Sequence, residues 1–287
     1  MHRFLVTALL LLAFPTNAGA GSFADFNKGI AAHDRGEIDL SISAFSDALA
    51  AGDLSADTQS VAHLDRGNAY AHKKQWPEAI ADFDAVLKLK PNNREAYSAR
   101  AGANIALGNS DAAKRDLLAA AEIVPNDYSF WFALGRFEWQ TQDYETALPH
   151  LERAVFLDPK NTYAVLWAEI ARQSVHRPDT DRLAKQAVLT DLDFWPGPIA
   201  EFYRGKTSLD ELLRKAADGK GEVQSGQICE TNFYVGAWQA MQGQVAQALP
   251  LLEDAVTKCP KTFIEYPPAV ALLGQLKSAH PAGVAAQ

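Results

Sequence analysis

The chain has 287 residues, of which 48% are hydrophobic and 22% are charged, and its formal net charge is −8. These values are ordinary for a folded globular protein, and the length allows one large domain or two small ones. The negative charge, which no basic tract offsets, argues against nucleic acid as a partner, because binding to phosphates requires lysine and arginine.

The first twenty residues have the pattern of a secretory signal peptide. Arg3 gives a basic start, an apolar run covers residues 4–14, and small residues at 18–20 favour cleavage between Ala20 and Gly21. The alternative is an uncleaved anchor, but about 20 apolar residues are needed to cross the membrane as a helix. No cysteine follows the run for lipid attachment. We therefore expect a soluble periplasmic protein with no membrane span after cleavage.

Beyond this segment, the sequence repeats with a period of about 34 residues. The blocks begin near Ser22, Ser60, Arg94, Tyr128, Thr162 and Cys229. In the clearest block, residues 128–161, Gly135 lies on a first predicted helix, Ala147 and Ala154 lie on a second, and Pro159 follows. Small residues let two helices approach closely, and proline ends a helix because it lacks an N–H group.

This pattern resembles the tetratricopeptide repeat (TPR), which folds as a pair of antiparallel helices. The resemblance implies an all-α fold, a tetratricopeptide-repeat solenoid of helix hairpins in a right-handed superhelical arc. A helical bundle without repeats is the alternative. The predicted organisation is a signal peptide at 1–20, four repeats at 21–161, degenerate TPR-like helices at 162–228, a final repeat with a capping helix at 229–278, and a flexible tail at 279–287.

Residues 200–208, "AEFYRGKTS", have the loose spacing of a phosphate-binding loop. Such a loop follows a strand and is lined by glycine backbone, whereas the residues before Gly205 look helical and include Glu201. Ser208 and Glu211 instead form a capping box, so we interpret Gly205 as the turn after a helix. We expect no nucleotide binding.

The histidines are scattered, and motifs for zinc or for a serine nucleophile are missing from the sequence. We therefore predict no catalytic residues, no metal and no cofactor. An enzyme whose site is assembled from distant residues is the competing class.

Cys229 and Cys259 are the two cysteines of the chain. In the repeat register they lie at adjacent ends of one hairpin, and an even number suits an oxidising compartment. We predict a disulfide between them; two buried free thiols are the alternative.

In TPR proteins, the first helix of each pair lines the concave surface. The inward-facing positions correspond here to Asn68, His72, Phe132, Arg136, Trp139 and Tyr163. Aromatic side chains beside an arginine suit a groove for a peptide or a helix of a protein partner. Phe132 and Trp139 could instead pack against a neighbouring repeat. The chaperone-type carboxylate clamp is not matched, because Phe26 and Ile30 stand at its positions.

The C-terminal third resembles the NlpI family of periplasmic lipoproteins, on the segments "IAEFYRGKTSLDELLRKA" and "ETNFYVGAWQAMQGQVAQALPLLEDAV". This resemblance implies a non-catalytic adaptor that brings peptidoglycan hydrolases to a C-terminal processing protease, often as a homodimer. The chain departs from the family in lacking the lipidated cysteine and in having the cysteine pair. A scaffold for another envelope assembly, in secretion or outer-membrane biogenesis, is the alternative.

Overall fold

The computed structural model describes residues 18–187 and 189–279, and these residues form fifteen α-helices and no β-strand. In chain order the helices are α1 (Ala18–Asp34), α2 (Ile38–Ala50), α3 (Ala56–His72), α4 (Trp76–Leu89), α5 (Arg94–Ala106), α6 (Ser110–Ile123), α7 (Tyr128–Gln140), α8 (Tyr144–Leu157), α9 (Thr162–Ser174), α10 (Thr180–Ala187), α11 (Gly197–Tyr203), α12 (Leu209–Ala217), α13 (Glu222–Met241), α14 (Val245–Thr257) and α15 (Tyr266–Ala279).

The helices belong to two compact units, which divide inside α6 between Asp116 and Leu117. The predicted signal peptide lies outside the described residues except for its last three positions, and both Ala20 and Gly21 fall in α1. The predicted tail also lies outside them beyond residue 279. None of the described helices combines the length and the apolar character that crossing a membrane requires.

Four helix hairpins are closed by a glycine on the first helix that touches a fully buried side chain on the second. The contacts are Gly29 with Phe45 in α1 and α2, Gly67 with Phe83 in α3 and α4, Gly135 with Leu151 in α7 and α8, and Gly236 with Leu252 in α13 and α14. A Cβ atom at Gly135 would lie 2.6 Å from Leu151 Cγ. The predicted role of the small residues, close approach of paired helices, is therefore confirmed at these positions.

Partly buried ion pairs, each with a buried aspartate, recur with the same 34-residue period in the first unit. Arg66 donates two hydrogen bonds to Asp82, of 2.7 and 2.8 Å, and Arg100 donates two to Asp116, of 2.6 and 2.9 Å. Both pairs join side chains 16 residues apart. Their two-point geometry fixes direction as well as distance. The ion pairs thus set the rotation of neighbouring helices about their axes, which packing of small residues alone leaves free.

Helix starts are fixed by a second recurring feature, an Asn or Asp side chain that accepts a backbone N–H of the first turn. Asn93, Asp127 and Asn161 do so at the starts of α5, α7 and α9. Each follows a proline by two positions in the sequence. In each of these repeats, the side chain of the Asn or Asp residue therefore determines where the first helix begins.

The segment after α9 contains shorter helices, and the predicted turn at Gly205 and helix start at Ser208 are confirmed. Asp179 accepts the N–H of Arg182 at the start of α10, at 2.8 Å. Gly205 follows α11 with φ +67, and Ser208 accepts the N–H of Glu211 at 3.2 Å to begin α12. The stretch that has phosphate-loop spacing is therefore a turn between two helices.

Helix α13 begins earlier than the predicted final block. It begins at Glu222, seven residues before Cys229, and runs for 20 residues. Gly221, with φ +59, is the break that precedes it. No proline lies between Glu222 and Cys229 to stop the helix. The last hairpin therefore starts inside the segment that the sequence assigns to degenerate helices.

Helix α15 packs against more than the end of the final hairpin. It contacts α13 and α14, and it also contacts α7. Tyr144 Oη, at the start of α8, donates to Gln275 Oε1 at 3.3 Å. Within the second unit, the last helix thus covers an early hairpin as well as the final one.

Cys229 and Cys259 form a disulfide, with their Cα atoms 5.6 Å apart. Cys229 lies within α13, and Cys259 lies two residues beyond the end of α14. The bond closes a segment across a sequence separation of 30 residues. It therefore ties the final hairpin together at one end.

Replacing Gly135 with alanine should lower the free energy of unfolding by about 1–3 kcal/mol, because the added methyl group overpacks the contact with Leu151. Gly274 is a matched control in the same unit, since it is helical and exposed and a Cβ atom there meets no atom within 4 Å. Gly274→Ala should raise stability by about 0.5–1 kcal/mol. Urea unfolding followed by circular dichroism measures both; equal effects would contradict the steric account.

Reduction of the disulfide should lower the free energy of unfolding by about 3 kcal/mol, because the closed segment restricts the unfolded chain. Urea unfolding with and without dithiothreitol tests this. The double variant Cys229→Ser/Cys259→Ser should have the same unfolding free energy with and without dithiothreitol. An unfolding midpoint of the unaltered chain that dithiothreitol leaves unchanged would show that the bond does not stabilise the fold.

Candidate functional site

The second unit contains an open groove of about 440 Å³, which we call the inner groove. Three helices and one connecting segment contribute to it: α7, the start of α9, α13, and the residues that follow α14. Its lining residues are Tyr128, Phe132, Asn161, Tyr163, Glu230, Thr262, Phe263, Ile264 and Glu265. Clefts of this size that combine aromatic and polar groups are typical of ligand and peptide sites.

Helix geometry places the aromatic side chains. Tyr128 and Phe132 are four residues apart on α7, so they lie on the same side of that helix. Asn161 accepts the N–H of Ala164 at 3.1 Å and so begins α9, which places Tyr163 in the first turn. One turn of α7 and the cap of α9 therefore place three of the four aromatic lining residues, and the fourth, Phe263, lies on the segment after α14.

Arg136 lies one turn beyond Phe132 and supports the groove from behind. Its guanidinium carbon is 5.3 Å from the ring centres of both Phe132 and Trp167. Its Nη2 donates to the carbonyl oxygen of Ile264 at 3.0 Å, whereas its buried Nε has no hydrogen-bond partner among the described residues. Burial lowers the pKa of Arg136. The residue therefore holds the segment 262–265 against α7.

Two carboxylates belong to the groove. Tyr163 Oη donates to Glu230 Oε2 at 2.9 Å, and Trp195 Nε1 donates to the same oxygen at 2.5 Å. Tyr234 Oη donates to Glu265 Oε1 at 3.2 Å. Burial raises the pKa of Glu230. Burial, and then the charge of Glu230, raise the pKa of Glu265, which is only 5% exposed.

The disulfide connects two walls of the groove. Cys229 is adjacent to Glu230 on α13, and Cys259 precedes Thr262 by three residues. The bond therefore restricts how far the 262–265 segment can move from α13. Arg136 restricts the same segment from the opposite side through Ile264.

The structure brings three of the predicted partner-contact residues together in the second unit. Phe132 and Tyr163 line the groove, and Arg136 supports it. In the first unit, Asn68 and His72 are exposed on α3. The remaining residue, Trp139, has a different environment.

Trp139 is 2% exposed and belongs to the core. Its ring centre is 5.3 Å from that of Trp167 in an edge-to-face arrangement, and its Nε1 donates to Ser174 Oγ at 2.9 Å. Its ring is therefore packed against other side chains of the protein, and its indole N–H has a hydrogen-bond acceptor within the protein. The placement of Trp139 on an accessible concave face is therefore corrected in favour of packing against the neighbouring repeat.

The described residues contain no group of three or more histidine, cysteine, aspartate or glutamate side chains placed to hold a metal ion. The two groove carboxylates instead accept hydrogen bonds from Tyr163, Trp195 and Tyr234. What the groove offers chemically is an aromatic surface with one buried carboxylate, Glu265, and one partly buried carboxylate, Glu230.

Comparison with known proteins gives matches in sequence and in structure. Tetratricopeptide-repeat family models match residues 60–93 and 98–162. The lipoprotein NlpI homolog of Haemophilus influenzae is 25% identical over 292 residues, which cover 96% of this chain and 90% of that protein.

Two solved structures of MamA superpose on part of the chain. A crystal structure of the MamA protein has a TM-score of 0.52 at 18% identity and covers 66% of this chain and 97% of its own. MamA from residue 41 to its end, from Desulfovibrio magneticus RS-1, has a TM-score of 0.50 at 19% identity and covers 60% and 96%. Likeness at this identity shows the fold alone. With the helix hairpins, it confirms the predicted all-α tetratricopeptide-repeat fold.

The two groove carboxyls should make stability depend on pH in a defined direction. Their pKa is raised in the folded chain, so the folded state binds more protons than the unfolded state as pH rises above the ordinary value of 4.5. Stability should therefore fall as pH rises from 4.5 through the raised pKa values. The variants Glu230→Gln and Glu265→Gln should each lose part of this decline.

Urea unfolding between about pH 4 and pH 8 measures the decline. Glu222→Gln is the control, because it removes the same charge from an exposed position at the start of α13. It should leave the pH dependence unchanged. If the two groove variants matched the control, burial of these carboxyls would not be costly.

Proposed function

Because this chain is a tetratricopeptide-repeat protein that resembles the lipoprotein NlpI homolog, we propose that it is an adaptor that binds other proteins through the inner groove. The observation that carries the proposal is the groove itself. It presents Tyr128, Phe132, Tyr163 and Phe263 on a framework held by helix hairpins, Arg136 and a disulfide. Rigidly held aromatic side chains in a cleft are the usual anchors of protein interfaces.

We further propose where the adaptor acts and on what. The pattern of residues 1–20 favours export to the periplasm. The resemblance of the C-terminal third to NlpI favours peptidoglycan hydrolases and a C-terminal processing protease as partners, with a homodimer as the assembly. A scaffold for secretion or outer-membrane biogenesis is the second candidate, and its partners would be subunits of those assemblies.

The test is affinity capture from periplasmic extract with the unaltered chain and with the double variant Phe132→Ala/Tyr163→Ala. The unaltered chain should recover a peptidoglycan endopeptidase or a processing protease. The double variant should recover at least about tenfold less, because aromatic anchors contribute most of the binding free energy. Circular dichroism and the thermal midpoint check that the variant is folded.

Phe156→Ala is the matched control. Phe156 is 73% exposed on α8 in the same unit and does not line the groove, so its removal should leave capture unchanged. Equal capture by all three chains would place the contact surface elsewhere. Recovery of secretion or outer-membrane assembly subunits alone would favour the second candidate. Turnover of a peptidoglycan fragment by the purified chain would favour an enzyme.

A further inference from the structure

The inner groove holds two carboxylates whose hydrogen-bond donors are all neutral. Glu230 accepts from a phenol and an indole, those of Tyr163 and Trp195, and Glu265 accepts from the phenol of Tyr234. Neither carboxylate forms an ion pair with any residue that the structure describes. Both carboxyl groups therefore line the groove without a cation of the described residues in contact.

Arg136 does not supply the missing cation. Its charge acts on Glu265 from a distance, but its Nη2 donates to the backbone oxygen of Ile264. Its guanidinium lies against the rings of Phe132 and Trp167, and Arg136 is not among the lining residues of the groove. One guanidinium also leaves the pair of carboxylates with a net negative charge when both are ionised.

A cation that entered the groove would stabilise the ionised form of both carboxyls. Burial opposes ionisation of both carboxyls and raises the pKa of each, and the charge of Glu230 raises the pKa of Glu265 further. An opposite charge nearby favours the ionised form. The occupant that offsets both costs is therefore positive rather than neutral or negative.

The aromatic lining favours the same occupant. Tyr128, Phe132, Tyr163 and Phe263 all line the groove beside the carboxylates. The face of an aromatic ring attracts an ammonium or guanidinium group and also packs against methylene groups. Lysine and arginine side chains have both features, a cationic head and an apolar stem.

We propose that the inner groove recognises a lysine or arginine side chain of the partner protein. The head group would lie between Glu230 and Glu265, and the stem would pack against Phe132 and Tyr163. The volume of about 440 Å³ leaves room for the flanking peptide backbone. This inference rests on the proposed function, because it names the chemistry by which the adaptor would select its partner.

The test uses pooled peptide libraries on the immobilised full chain. The peptides are acetylated and amidated at their ends, so that no terminal charge competes, and the pools differ only in a fixed central residue: lysine, arginine, norleucine or glutamate. The lysine and arginine pools should be retained at least about tenfold more than the norleucine pool. Glu230→Gln and Glu265→Gln should reduce that preference, and Glu222→Gln should not.

Equal retention of the norleucine pool would overturn the inference and leave the proposed function standing, because the groove would still bind a peptide. Better retention of the glutamate pool would overturn it as well. If no cationic pool is retained, the inference fails even where the capture of folded partners succeeds. The loss of capture in the Phe132→Ala/Tyr163→Ala variant tests the proposed function separately.

A measurement on the unaltered chain covers the case in which the glutamine variants do not fold. The indole N–H of Trp195 donates to Glu230, so its NMR resonance reports on the groove. Adding n-butylamine, which has the head and stem of a lysine side chain, should shift this resonance, and n-butanol should not. Trp195→Phe assigns the signal. Equal shifts with both compounds, or none with the amine, would contradict the inference.

Discussion

At Gly135 and Gly236, the two helices of a hairpin touch without room for a Cβ atom between them. Each contact fixes the separation of a helix that carries groove residues, α7 in one case and α13 in the other, from its partner in the hairpin. The large buried side chains, such as Leu151, then fill the remaining volume at the density of a protein interior. The groove can therefore be open and still have walls of defined position, because these walls belong to hairpins whose spacing cannot easily relax.

The groove itself is assembled from parts that are distant in the sequence. One hydrogen bond from Arg136 and one disulfide from Cys229 hold the 262–265 segment, which has no helical structure of its own, between α7 and α13. The result places aromatic rings next to two carboxylates that no cation among the described residues contacts. Burial makes ionisation of Glu265, at the end of this segment, costly, and a binding partner of opposite charge would offset that cost.

Much of this fold could be predicted from the sequence, since the period of small residues reports directly on helix pairing. Phe132 and Tyr163 follow from that period because they occupy fixed positions on first helices. The environment of Trp139 could not be predicted from the period. Whether a bulky residue faces a groove or the core depends on the next repeat, which here supplies Trp167. Glu230 lies within the segment "ETNFY", but its position in a groove depends on contacts across 67 residues of sequence. Glu265 lies beyond the last regular repeat, where no period remains to place it.

The central claim, that the inner groove is the surface that contacts a partner, is tested most directly by photo-crosslinking in cells. Ile264 is 49% exposed at the groove, and replacing it with benzoylphenylalanine positions the reactive group there. Phe156, exposed on α8 and outside the groove, provides the comparison position. The account predicts adducts with a peptidoglycan hydrolase or a processing protease from position 264 and not from position 156. Adducts from position 156 alone, or none from position 264, would contradict it.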